Sequence, residues 1–181
     1  VSNHNRNIEK LFDDKIDLLI VVGGGSLQPE CYDRPHNDEI QPHRDITEEK
    51  LIRYCIKHGI PIVATCRGMQ YINVLFGGRL HYHPKLKIER PRGVDHPVRL
   101  VKEDRIIQVN NYHQDVIYEG ELAPCFEVLA VDEQNHTIEA YGSEEMKLLA
   151  LQWHPERKFE TAEAQDETRK IIVNFIQSHI R

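Results

Sequence analysis

Two apolar runs that do not alternate, "IDLLIVV" from Ile16 and "IPIVAT" from Ile60, constrain this chain more than anything else in it. A strand with one wet face alternates apolar and polar residues. A run that is apolar throughout must be covered on both faces, which is the condition of a parallel sheet lying between helices. Between the two runs, "DITEEKLIRYCIKHG" places Leu51, Ile52 and Cys55 at helical spacing, with a capping-box interval from Asp45 to Glu48 and a terminating Gly59, and so predicts a helix. After the second run, "CRGMQYINVLFGG" sets Met69, Ile72, Leu75 and Phe76 on one face and ends in Gly77 and Gly78, a second helix. Strand, helix, strand, helix predicts an α/β fold with a mostly parallel central sheet flanked by helices.

The rest of the chain fills in around that unit. Ile8, Leu11 and Phe12 recur at helical spacing before the first run, and Gly23 to Asp45, with Pro29, Pro35 and Pro42, reads as a long loop. Loops of that size in compact domains usually serve function. "LHYHPKLKIERPRGVDHP" reads as a polar surface loop, followed by short runs at Val98 to Val101 and Ile106 to Val109. "FEVLAV", "TIEAY" and "KLLALQW" predict further short strands, partly antiparallel, the smaller β portion of the fold. A closing helix sets Ile172, Phe175, Ile176 and Ile180 near one face. With 181 residues, 40% hydrophobic content and no repeat or linker, residues 1–181 are expected to form a single domain.

Charge and cysteine usage exclude several function classes. The formal charge of −6 disfavours nonspecific binding to nucleic acid or to an acidic membrane and points to a small-molecule partner. No apolar run is long enough to span a bilayer, and "VSNHNRNIEK" lacks the apolar core of a signal peptide, so the expected location is cytoplasmic. Cys31, Cys55, Cys66 and Cys125 have no CxxC spacing, which favours reduced thiols over a disulfide scaffold or a cysteine zinc site.

Cys66 stands where the second apolar run meets the second helix. A side chain at the tip of such a turn points at the helix's positive end, where unpaired N–H groups favour a thiolate and offer donors to an anionic intermediate. In "ATCRG", Gly68 permits the close approach that this turn requires, and Arg67 adds charge nearby. The plainer alternative, an inert buried thiol, stays open on these residues alone. A nucleophilic cysteine also needs a base, and the base an orienting partner. "LQWHPE" offers His154, with Glu156 on the same side of an extended chain, able to hold the imidazole from behind. The same HxE spacing occurs in zinc deaminases, but the PCxxC that they need is lacking. A metal site at His81 and His83 would have two ligands and no carboxylate at a supporting spacing.

Taken together these segments resemble the class I glutamine amidotransferases, and within them the hydrolase branch of gamma-glutamyl hydrolase-like (peptidase C26) proteins, which includes gamma-glutamyl-GABA hydrolases. "CRGMQYINVLFGG" is similar to that branch's nucleophile segment, "HPV" at His96 and "VNNYHQ" at Val109 resemble its substrate-side loops, and "LQWHPE" looks like its His-Pro-Glu signature. "GGGSLQPECY" resembles its glycine loop. The resemblance implies a flavodoxin-like class I amidotransferase fold, with Cys66 as nucleophile, His154 as base and later acid, and Glu156 orienting it. It further implies an oxyanion hole from the backbone N–H groups of Gly24 and Arg67, and a glutamyl pocket lined by Gln70, Asn111, Tyr112 and His113. For Asn111 and His113 the residues equally allow a polar turn that satisfies its own backbone.

This sequence departs from the family at three places. Ala64 stands two residues before the cysteine where relatives usually have Gly, which is tolerated only if that backbone avoids positive φ. Gln114 and Asp115 stand where gamma-glutamyl-GABA hydrolases usually have His and Gln. The family's opening βα segment is absent and the connection between "HPV" and "VNNYH" is short, so N-terminal and internal segments are expected to be missing from the numbered sequence.

The activity these readings imply is hydrolysis of a gamma-glutamyl amide through a glutamyl thioester, with no metal and no organic cofactor. One alternative is a glutaminase that supplies ammonia to a synthetase carried on a separate chain. Another, of a different class, is a binding module without catalysis. A homodimer is compatible with either hydrolytic reading.

Overall fold

A computed structural model describes residues 16–31, 40–83, 86 and 90–180 of the chain. The expected helix around Ile8 to Phe12 and part of the long loop, residues 32–39, lie outside the described residues. The first run forms β1 (Leu19–Val21) and the second β2 (Ile62–Thr65), with helix α1 (Pro42–Lys57) between them. Helix α2 (Arg67–Leu75) follows β2, then β3 (His81–Tyr82), β4 (Asp95–Leu100), β5 (Arg105–Asn110), β6 (Asp115–Val116), β7 (Glu127–Asp132), β8 (Thr137–Ser143), β9 (Leu148–Leu151) and helix α3 (Ala162–His179).

The main sheet runs β1-β2-β9-β8-β7-β4-β5. Its β1, β2 and β9 are parallel, in the register Val21–Ala64–Ala150. The strands from β8 outward attach antiparallel, ending in the β4–β5 hairpin. "HYH", read as part of a surface loop, instead supplies β3, which pairs antiparallel with β6 in a separate two-stranded sheet. The architecture is the expected helix-flanked α/β sheet with an antiparallel part.

Period 2 along β9 explains the layering. Leu148 and Ala150 join Ile52 and Cys55 of α1 and Met69 and Ile72 of α2 in one buried cluster. Leu149 and Leu151 face the other way, into a cluster closed by Ala164, Ile171, Ile172 and Phe175 of α3. Met69 and Ile72 are fully buried, each contributing on the order of 2 kcal/mol of apolar burial. Helix α3 begins where Thr161 accepts a hydrogen bond from the Ala164 N–H (3.1 Å).

Helix α1 corrects one expectation. It starts three residues before Asp45, with Pro42 in its first turn and Gln41 as a cap residue that makes no side-chain cap bond. Asp45 and Glu48 therefore sit inside the helix, and their carboxylates turn inward to Arg67 instead of capping. Ala64 is likewise settled: it is a fully buried member of β2, outside the positive-φ residues, so the strand continues through it and no glycine is required.

Candidate active site

The carboxyl ends of the three parallel strands bring the site together, as expected for the ligand-binding edge of an open α/β sheet. Gly23 and Gly24 follow β1, Cys66 follows β2, and Gln152 to His154 follow β9. The Cys66 N–H donates to the Leu151 carbonyl (2.8 Å), which ties the β2 turn to the end of β9.

Cys66 carries the bend itself, with φ 50° and ψ −110°. Positive φ in a residue with a Cβ costs about 1–3 kcal/mol and persists only where the surroundings impose it. Gly68 is one such constraint: a Cβ there would lie 2.2 Å from the Val21 carbonyl oxygen, so α2 approaches β1 as only glycine allows. No side-chain bond caps α2, and the Arg67 backbone N–H is directed at the Cys66 sulfur. The thiol is not ionised by this. Burial pushes it up to about 12, and the hydrogen bond from Arg67 only partly opposes that. The expected thiolate is thus corrected to a neutral thiol, because desolvation of the sulfur outweighs the helix terminus. The Arg67 guanidinium does not face the thiol either. It is completely buried and points to Glu48 (2.6 Å) and Asp45.

His154 and Glu156 are in contact, Nδ1 to Oε1 at 2.6 Å. A carboxylate only accepts, so Nδ1 carries the hydrogen and Nε2 keeps its lone pair. Burial lowers the His154 pKa, and Glu156 pulls it partly back, so the imidazole is neutral near pH 7. The ring lies over Gly23, where a Cβ would come within 2.6 Å of Cε1. Sequence reasoning missed what fixes this segment: Asn110 at the end of β5 donates to the His154 carbonyl and accepts from the His154 N–H, both at 2.9 Å. Tyr112 packs edge-on to the imidazole at 5.5 Å and lies beneath the Arg157 and Arg92 guanidinium groups.

A cavity of about 320 Å³ opens at Cys66 and is lined also by Gly24, Gln70, Arg92, Tyr112, His113 and Asp115. Gln70 crosses it to donate to the Asp115 carbonyl (3.1 Å) and to Gln152 (3.2 Å). Asn111 lines an adjoining cavity of about 140 Å³ and not the one at Cys66; its amide donates to the Arg90 carbonyl. His113 lines both, and its Nδ1 donates to the carbonyl of Asp115, the local turn bond that the plainer reading anticipated.

Behind His113 lies a buried ionic cluster. The Nε2 atoms of His96 and His113 stand 3.7 and 3.9 Å from Glu139 Oε2, and Asp132 pairs with Arg90. Burial alone would raise the Glu139 pKa, but the nearby His96, His113 and Arg90 side chains hold it down at about 2. His96, Asp132 and Glu139 place ligand atoms within 4.8 Å of one another. Arg90 already supplies a positive charge there. His81 faces Glu121 (3.9 Å), and among the described residues no group of three candidate ligands includes His81 or His83.

The fold and this edge define the chain as a class I glutamine amidotransferase-like protein. The crystal structure of a Thermoplasma acidophilum protein, provisionally described as part of a GMP synthase, superposes with TM-score 0.65, at 21% identity, covering 98% of this chain and 80% of that one. The model of the Peptidase C26 family matches residues 2–156, and the chain belongs to that family. It is 32% identical to protein NtpR of Enterococcus hirae over 165 residues, 79% of this chain and 68% of that protein. It is also 36% identical to the gamma-glutamyl-gamma-aminobutyrate hydrolase of Escherichia coli O157:H7 over 87 residues, 45% of this chain and 32% of that protein. No helix among the described residues is long and apolar enough to cross a membrane.

Proposed function

We propose that the protein hydrolyses gamma-glutamyl amides through Cys66, His154 and Glu156, releasing glutamate and an amine. The observation that carries this reading is Cys66 held at φ 50° at the head of α2, its sulfur in a cavity shared with Gly24, at the strand ends that also carry the His154–Glu156 pair. The similarity to gamma-glutamyl-gamma-aminobutyrate hydrolase supports the choice of bond. Among the described lining residues are one carboxylate, Asp115, and one guanidinium, Arg92, which suit the ammonium and carboxylate of a glutamyl head.

In this mechanism the Cys66 S–H gives its proton to His154 Nε2 as sulfur attacks the γ-carbonyl carbon. A thiol raised by burial makes that transfer simultaneous with attack, and Glu156 stabilises the imidazolium through Nδ1–H. The backbone N–H groups of Gly24 and Arg67 hold the tetrahedral oxyanion. As the C–N bond breaks, His154 returns the proton to the departing nitrogen and a glutamyl thioester remains. Water then attacks the thioester carbonyl and gives its proton to His154. The C–S bond breaks, and the sulfur takes that proton back. Replacing Cys66 by Ala should abolish turnover of a gamma-glutamyl anilide while circular dichroism stays unchanged; substantial residual turnover would overturn the assignment.

A second reading, a glutaminase feeding a separate synthetase, is favoured by the fold likeness to the provisional GMP synthase component. Its chemistry at Cys66 is identical. Without a partner, faster ammonia release from glutamine than amine release from gamma-glutamyl conjugates would select it.

A further inference from the structure

Buried charge behind the cavity links the two backbone segments that face it. Arg44, Asp45, Glu48 and Arg67 are all at least nine-tenths buried, and their formal charges cancel. Glu48 accepts from both cations, Oε1 from Arg44 Nε and Oε2 from Arg67 Nη1, each at 2.6 Å. Arg44 in turn donates to the carbonyls of Val22 and Gly23, the latter at 3.1 Å. Arg67 is the first residue of α2, and its own N–H is directed at the Cys66 sulfur.

The planarity of the peptide makes this arrangement consequential. The Gly23 carbonyl and the Gly24 N–H belong to one trans peptide unit and point in opposite directions. With Arg44 holding the carbonyl, the N–H points away from that guanidinium, and Gly24 itself lines the Cys66 cavity. The fit permits little adjustment: a Cβ on Gly24 would lie 2.0 Å from Arg44 Nη1 and 3.0 Å from Arg67 Cδ. The glycine loop therefore rests directly on the two arginines, and one carboxylate spans both.

We propose that Glu48 is a positioning residue for the oxyanion site: by gripping Arg44 and Arg67 together it sets the Gly24 and Arg67 N–H groups at the mutual placement that receives a single oxygen. This rests on the cysteine-hydrolase reading above. It predicts a loss specific to the transition state, because neither the thiol nor the glutamyl-binding residues touch Glu48.

The test compares Glu48→Gln with Arg44→Lys, and with Glu49→Gln as a control whose carboxylate, among the described residues, pairs with the exposed Arg53. For each variant, kcat and KM are measured on a gamma-glutamyl anilide, together with inhibition by glutamate γ-semialdehyde, which adds the thiol to form a tetrahedral hemithioacetal. The rate of Cys66 carboxamidomethylation by iodoacetamide, which forms no oxyanion, is measured beside them. Glu48→Gln and Arg44→Lys should each lower kcat by about 10²-fold, the scale of one lost oxyanion donor. They should weaken semialdehyde inhibition by a similar factor while KM and the alkylation rate change less than about threefold. Glu49→Gln should match the wild type throughout. Unchanged kcat, or kcat and alkylation falling together, overturns the proposal, since the second pattern is that of a damaged turn. If Glu48→Gln fails to fold, Arg44→Lys decides alone by the same criteria. A wild-type protein that does not hydrolyse the anilide, or a Cys66→Ala variant that does, overturns instead the reading beneath it.

Discussion

Gly68→Ala tests the packing that holds Cys66 at positive φ. The added methyl would lie 2.2 Å from the Val21 oxygen, 2.8 Å from its carbonyl carbon and 2.9 Å from its Cγ1. Ordinary contact begins about 1 Å farther out, and two of the three atoms are backbone of β1, which is paired to β2 and cannot rotate away. Helix α2 must therefore lift from the sheet. Overpacking of this kind costs about 2–3 kcal/mol, which at a urea m-value of ~2 kcal/mol/M lowers the unfolding midpoint by about 1–1.5 M. Because Cys66 is two residues away, iodoacetamide labelling should accelerate in native buffer as burial of the sulfur is relaxed. Gly120→Ala supplies the comparison: its φ is 87° but nothing lies within 4 Å of the added carbon, so only backbone strain of about 1–2 kcal/mol applies. Urea denaturation of the two variants is the assay. If Gly68→Ala is no more destabilising than Gly120→Ala and its cysteine labels as in the wild type, the steric account of the turn is wrong.

Two further outcomes follow from the imidazole. Glu156→Gln removes the charge that raises the His154 pKa against burial, so that pKa falls further. As the base must be neutral, the acid limb of the kcat/KM profile should move to lower pH while kcat drops at least about tenfold; a limb moving to higher pH would refute the assignment. Asn110→Ala strips both backbone partners from His154 in a buried place, and should cost about 2–3 kcal/mol in urea denaturation, with a loss under 0.5 kcal/mol showing that the pair does not hold the segment.

Local features were legible in the sequence and distant partnerships were not. The turn at Cys66 and the contact between His154 and Glu156 each lie within a few residues, where strand and helix periodicity already dictates direction. The "RD" and Glu48 of α1 were visible too, but a D-x-x-E interval serves equally as a capping box and as one inward-facing stripe of a helix. The deciding partner, Arg67, is 19 residues from Glu48 and 22 from Asp45. A lone arginine opening an otherwise uncharged, buried helix was the available signal, since such a cation needs carboxylates within reach. In "NN" at Asn110 and Asn111, chemistry alone does not separate the residue that braces His154 from the one that braces Arg90. The thiol pKa failed for a related reason: the helix terminus that favours the anion is a local feature, whereas burial of the sulfur is a property of the assembled core.

That burial also explains why the cap position of α2 is a cysteine. Serine, threonine or aspartate at this place would spend its side chain on the helix's own N–H groups. The Cys66 sulfur is a weak acceptor that receives the Arg67 N–H but makes no side-chain cap bond, so the rest of the first turn is left uncapped. The turn must then be stabilised by something other than its cap. Three contacts do so: the Cys66 N–H on Leu151, the bare Cα of Gly68 on Val21, and the Arg67 side chain on α1. Each comes from a different element of the fold. A strained, uncapped helix start is stable here because β9, β1 and α1 converge on it, and the same convergence brings the glycine loop and His154 alongside.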